Sequence, residues 1–259
     1  RAFLAGAIFG FAALIKLPLM LLGIYFLLRG RWRVAMGGLA LCAFASLLSL
    51  AVFGWDLHWY WYEHTIKPVS AHPLPAYNNQ SIQGFFARLQ YGNSWLLWWK
   101  PRPINPMVLL AAKMVVFCLV AAVTFVFAAP QRWRRGPMTT MPGQMITEIE
   151  IWMITLLAIM IGTISWSHYY LLLLLPAAFL IAGNPEALRT GWMKITGWAA
   201  IVGALLPVMT VKTGIPPRLS RPFSYFAVSH FLLSAALLLV ILLIIRWRTR
   251  ADETNPSQS

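Results

Sequence analysis

From Phe223 to Ile245 the chain runs without a single Asp, Glu, Lys or Arg, and Val34–Phe53 does the same. A helix built from such a run has no polar face to show to water, so it belongs in hydrocarbon, where roughly 20 apolar residues reach across a bilayer. We read seven segments of this kind: Ala2–Leu28, Val34–Phe53, Met107–Ala129, Ile149–Ile164, His168–Gly183, Lys194–Val211 and Phe223–Ile245. The fourth and fifth look short for a full crossing. Composition agrees, because 59% of the 259 residues are hydrophobic and 11% charged. A soluble domain carries about a quarter charged residues. The expected fold class is therefore all-α, a polytopic membrane bundle.

The basic residues orient it. Arginines cluster at RGRWR (Arg29–Arg33), RWRR (Arg132–Arg135) and RWRTR (Arg246–Arg250). Seven alternating spans put these clusters on one face, together with Arg189 and Lys194, and positive residues mark the cytoplasmic side. The tail after Arg250 is then inside and Arg1 outside. The same topology sends all five histidines outward. Of the seven carboxylates it sends out only Asp56 and Glu63. Chemistry, if the protein performs any, is expected on the extracytoplasmic face. The net charge of +14 suits lipid headgroups or an anionic substrate. It does not suggest nucleic acid, because the basic residues are spread among loops instead of forming one polar domain. Cys42 and Cys118 lie in apolar runs and imply no disulfide framework.

The long segment Gly54–Pro106 is the main non-spanning stretch, and loops of such length usually carry function. It opens on GWDLHWYWYEHTIKP, where aromatic rings crowd around Asp56, His58, Glu63 and His64. An interfacial helix explains the Trp and Tyr residues. A sugar-binding platform explains them too, with rings packing on pyranose C–H faces and the polar groups bonding hydroxyls. A metal site from His58, Glu63 and His64 has no recognised ligand spacing, and none is expected. Farther on, Asn79-Gln80-Ser81 precedes a short helix, SIQGFFARL, which Ser81 can cap. That helix start, with Arg88 following, suits an anion, although a plain capped surface helix reads the same way.

Lys16 stands mid-span, two residues before Pro18. An ionisable group at that depth is a candidate for function by default, and Pro18 would break the helix beside it. GTISWSHYYLLLLLP raises a similar question, because it sets Ser165, Trp166 and His168 between two apolar runs. The short flanking spans place that turn below the outer surface.

These stretches carry a resemblance. GFAALIKLPLMLLGIYFLLRGRWRVA, NNQSIQGFFARL and TISWSHYYLLLLLP occur in the order found in GT-C type, polyprenol-phosphate-sugar-dependent membrane glycosyltransferases of glycosyltransferase family 87, which include mycobacterial mannosyltransferases. The second resembles that family's N-Q-S-x-x-G-x-x-x-R-L. The third is similar to its S-P-I-S-W-x-H-H/Y, with Thr163, Ser167 and Tyr169 as departures.

The resemblance implies a GT-C-like transmembrane domain over residues 1–245, with its outer loop at 54–106, and a cytoplasmic tail at 246–259. It implies transfer of a mannose-like hexose, or a pentose, from a polyprenyl phosphate to a glycan or glycolipid, outside a bacterial cytoplasmic membrane. The lipid-linked sugar is a co-substrate, and no separate cofactor is expected. His168, with Glu63 or Asp56, would be catalytic. Lys16, His58, His64, Asn79, Gln80, Ser81, Arg88, Ser165 and Trp166 would bind substrate. The family's main catalytic aspartate would lie upstream of Arg1, making this chain a fragment. The competing expectation, from Lys16-Leu17-Pro18, is a transporter or flippase of a lipid-linked or anionic substrate.

Overall fold

The computed structural model describes residues 1–92, 95–129, 139–141, 143–182, 191–206 and 225–251. The RWRR cluster, Glu186, Arg189, the far end of the sixth expected span and the tail from Asp252 lie outside the described residues. Two compact units divide the chain, Arg1–Pro73 with Pro101–Pro103, and Leu74–Lys100 with Ile104–Ser259.

In the first unit, α1 (Ala2–Ile15) and α3 (Trp32–Trp61) pack main chain against main chain. A Cβ on Gly6 would stand 1.9 Å from the Val34 carbonyl oxygen, and one on Gly37 would stand 2.0 Å from that of Phe3. Lipid exposure gives apolar side chains no reason to leave the bilayer, so helix association depends on close packing of small residues. GAIFG and GG supply them.

The first expected span is two helices. Lys16 leaves α1 with extended backbone angles, Leu17–Met20 forms a 3₁₀ turn, and α2 (Leu21–Leu28) follows. Pro18 has no N–H to continue the ladder, so the break falls where its ring demands. Gly30, at φ 68°, lets the chain reverse out of α2, and the Arg31 N–H returns to the Phe26 carbonyl at 2.8 Å. Gly54, at φ 75°, redirects α3 at the expected end of the second span. The aromatic stretch after it is helical, as a π turn (Tyr62–Ile66) and α4 (Lys67–Ala71) carry it on.

The second unit holds α5 (Ile82–Tyr91), α6 (Pro106–Ala128), α7 (Gly143–Ile161), α8 (Leu174–Ala182), α9 (Gly191–Leu205) and α10 (His230–Arg248). A 3₁₀ stretch, Ser167–Leu173, leads into α8. α10 packs on both α7 and α9, burying Met153, Leu156 and Ile159 of α7 and Leu238, Leu239 and Leu242 of its own.

α7 corrects one expectation. It begins at Gly143, six residues before Ile149, and is 19 residues long, enough to cross a bilayer. The expected span began at Ile149, with Glu150 among the carboxylates kept on the inner side. Instead its carboxylate is buried and accepts from the Arg246 Nε at 2.6 Å, so the helix continues through a paired charge. The short-span argument for the depth of Ser165–Tyr169 therefore loses its fourth segment.

The start of α7 and the end of α10 thus share one end of this unit. There, short strands β1 (Thr139–Met141) and β2 (Thr249–Ala251) also pair in parallel. Among the described residues, four stretches are long and apolar enough to span: residues 32–71, α6, α7 and α10. The apolar residues of α3 are largely exposed within the protein, as lipid contact requires. The protein is an all-α, multi-pass membrane protein.

Candidate functional site

At the opposite end of the second unit, two stretches far apart in sequence form one structure. Residues 162–166, after α7, are not helical, so their main-chain groups need partners other than a helix. The Asn-Gln-Ser stretch supplies them. The Gln80 N–H donates to the Ser165 carbonyl at 2.6 Å, the Ser167 N–H donates to that of Asn78 at 2.9 Å, and Asn79 and Trp166 form an antiparallel bridge.

Side chains complete the joint. Asn79 Oδ1 accepts from the Ser165 N–H at 2.9 Å, while its Nδ2 donates to the Leu74 carbonyl at 2.9 Å. The Ser81 hydroxyl caps α5, accepting from the Gly84 N–H at 2.9 Å, and donates to the Thr163 carbonyl at 3.1 Å. Gln80 Nε2 donates to the carbonyls of Tyr77 and Val228, each at 2.7 Å. The Tyr170 hydroxyl donates to the Gln80 carbonyl.

Arg88 closes the arrangement from α5. Nη1 donates to the carbonyls of Ala76 and Asn79 at 3.0 and 2.6 Å, and Nη2 donates to the Ser229 hydroxyl at 2.9 Å. Complete burial pulls this guanidinium below the ordinary arginine range to about 9, so it remains cationic at neutral pH. Asn79, Gln80, Ser81, Arg88 and Ser165 are all 0% exposed. Gly84 is required by the same packing, since a Cβ there would meet Asn79 Nδ2 at 2.7 Å and the Asn79 carbonyl oxygen at 2.8 Å. The N-Q-S-x-x-G-x-x-x-R pattern is thus the wiring of a buried joint, in which every named position has a mechanical reason.

The joint presents a rim. His168 is exposed, its ring 4.5 Å from that of Tyr169. Trp166 is half-buried and lies 5.9 Å, centroid to centroid, from Trp99, which meets Tyr77 edge-on at 5.8 Å. Trp166 and His168 are therefore the expected site residues that face outward, whereas the others named here are enclosed.

The remaining expected residues belong to the first unit. Lys16 is buried at the break between α1 and the 3₁₀ turn. His58 spans the Gly54 bend: its Nδ1 lies 2.7 Å from the Gly54 carbonyl and its Nε2 3.0 Å from the Ser49 hydroxyl. The carbonyl can only accept, so Nδ1 carries the proton. His64 Nδ1 donates to the Tyr60 carbonyl at 2.9 Å and its ring stacks on that of Tyr60. Glu63 pairs with Lys67 at 2.7 Å, and Asp56 is exposed. Among the described residues no three His, Cys, Asp or Glu side chains come together as a metal site would require.

The sequence reading missed Thr163, Tyr170 and Ser229. Thr163 and Tyr170 lie inside the quoted stretch TISWSHYYLLLLLP, where neither had been given a part in a site. Ser229 gave no local signal, being one hydroxyl in an apolar run.

The model of glycosyltransferase family 87 matches residues 1–147 of this chain, more than half its length. The chain belongs to glycosyltransferase family 87. A Mycobacterium tuberculosis protein described as a polyprenol-phosphate-mannose-dependent alpha-(1-2)-phosphatidylinositol mannoside mannosyltransferase is 27% identical over 179 residues. That match takes in 68% of this family 87 chain and 36% of the relative, so the chain spans about a third of the relative's length. No solved structure matches.

Proposed function

We propose that this family 87 chain is part of a membrane glycosyltransferase that moves a mannose-like sugar from a polyprenyl-phosphate donor to a glycan or glycolipid on the extracytoplasmic face. One observation carries the reading. Two motifs of the family pattern, from separate parts of the chain, interlock through buried, partnered polar groups and leave Trp166 and His168 facing outward. Membership of a glycosyltransferase family favours this over transport. The side also fits. α10 runs from the Ser229 joint to Arg246, about 26 Å for a helix of that length, and the RWRTR cluster marks the cytoplasmic end.

In the transfer, an acceptor hydroxyl oxygen bonds to the anomeric carbon, the carbon–oxygen bond to phosphate breaks, and polyprenyl phosphate leaves as an anion. His168, exposed and close in sequence to Trp166, is the residue we assign to bond the departing phosphate or to orient the acceptor. Asn79, Gln80, Ser81, Arg88 and Ser165 hold the loop that carries it, so their part is positioning. Lys16 is the candidate for a lipid phosphate in the first unit. The acceptor's proton goes to a carboxylate base of the protein, for which Asp56 and Glu63 are the candidates that the sequence offers.

The test uses the full-length protein in proteoliposomes with radiolabelled polyprenyl-phosphate mannose and mannose-bearing glycolipids. Wild type forms labelled glycolipid. His168→Ala lowers kcat at least 100-fold with thermal stability unchanged, as expected for an exposed side chain. Undiminished product from His168→Ala would sink the assignment.

A further inference from the structure

Against Trp166 of the third motif lie two aromatic rings, Tyr77 and Trp99, that no motif accounts for. Tyr77 comes from the extended segment before α5, Trp99 from the turn after it, and Trp166 from the stretch after α7. Their rings nevertheless meet in a chain, with centroids 5.8 and 5.9 Å apart. Backbone bonds pin each segment. The Tyr77 N–H donates to the Leu96 carbonyl at 2.8 Å, and Trp166 is bridged to Asn79. Behind them lies the enclosed joint. Trp99 keeps 48% of its surface exposed, so a flat apolar face is held against Tyr77 and Trp166, and the exposed His168 follows Trp166 by two residues.

Interfacial anchoring would use tryptophans in a different way. An anchor needs an amphipathic ring at headgroup level but no fixed angle between rings from separate segments. Trp98 is the natural comparison. It is 42% exposed and packs on Trp95, which lies in its own turn.

We propose that Trp99, with Tyr77 and Trp166 as its walls, forms a carbohydrate subsite that stacks on the C–H face of a hexopyranose. This deepens, and rests on, the transferase reading above. A pyranose has one apolar face and a hydroxyl edge. A preoriented indole covers the face without losing ring freedom on binding, and the exposed His168, two residues after Trp166, is the polar group offered to the edge. The ring held is that of the donor or of the acceptor, since both present this chemistry.

The experiment measures steady-state kinetics of the full-length protein in proteoliposomes for wild type, Trp99→Ala, Trp99→Phe and Trp98→Ala, varying donor and acceptor separately. Trp99→Ala should raise KM for one of them about tenfold with kcat within twofold. Which KM moves identifies whose sugar is held. Trp99→Phe should recover most of the loss, and Trp98→Ala should behave as wild type. Equal effects of Trp98→Ala and Trp99→Ala would reassign the rim as a membrane anchor and overturn the subsite, as would no change, or a fall in kcat alone. If wild type transfers no sugar, the transferase reading fails by itself. The rim is then judged by saturation-transfer NMR with α-1,2-mannobiose. Signal in wild type that disappears in Trp99→Ala supports the subsite, and absent or unchanged signal overturns it.

Discussion

The guanidinium of Arg88 donates to the hydroxyl of Ser229 at 2.9 Å, tying α5 to the turn before α10 across 141 residues of sequence. The same side chain holds the Ala76 and Asn79 carbonyls, so its planar fork serves three partners in one geometry. Lysine cannot reproduce that fork. Arg88→Lys should lose about 2–4 kcal/mol, from buried acceptors left without donors. Thermal unfolding in detergent measures the loss, and activity should fall with it. Ser229→Ala, which removes a single partner, should cost about 1 kcal/mol.

Gly84→Ala adds one methyl where Asn79 main chain already stands within 2.8 Å of the Cβ position. Alanine is the better helix former by about 1 kcal/mol, so an open site would be stabilised. Overpacking outweighs propensity here, and a net loss of about 1–3 kcal/mol is expected. A variant more stable than wild type would show that Asn79 can move aside.

Glu150→Gln removes the buried carboxylate that accepts from Arg246 Nε at 2.6 Å. Breaking a buried pair in this way costs about 3–5 kcal/mol. The double variant Glu150→Leu/Arg246→Leu should recover most of that loss, since an apolar pair needs no charge compensation. Denaturant unfolding of both variants measures the difference. Equal losses would mean that the pair itself carries the stability.

Gly37→Ala directs a methyl into the Phe3 carbonyl oxygen at 2.0 Å, which is backbone and cannot rotate away. α1 and α3 must separate. Disulfide trapping between cysteines introduced on their facing surfaces should form readily in the wild-type background and poorly in the variant.

Much of the architecture was legible along the chain because a membrane imposes a simple rule. Charge-free runs must be spans, and Gly54 and Pro18 interrupt backbone geometry wherever they occur. Arg246–Arg250 likewise marked an end of α10 by charge alone. The extent of α7 was not legible, because Glu148 and Glu150 read as inner-side charges at the edge of a span until Arg246 is seen beside Glu150. The site motifs divided in the same way. Ser81 as a helix cap, and Trp166 and His168 as something polar at a turn, followed from local chemistry. That Asn79, Gln80 and Arg88 are enclosed, with their bonds directed to Leu74, Tyr77, Ala76, Val228 and Ser229, did not. A side chain's donors and acceptors are fixed by its type, but their partners are chosen by whichever main-chain groups the fold leaves without a helix. The sequence alone determined the class of protein and the breaks at Pro18 and Gly54. Only the tertiary structure decided which polar residues stay inside to hold the joint and which remain free to meet a substrate.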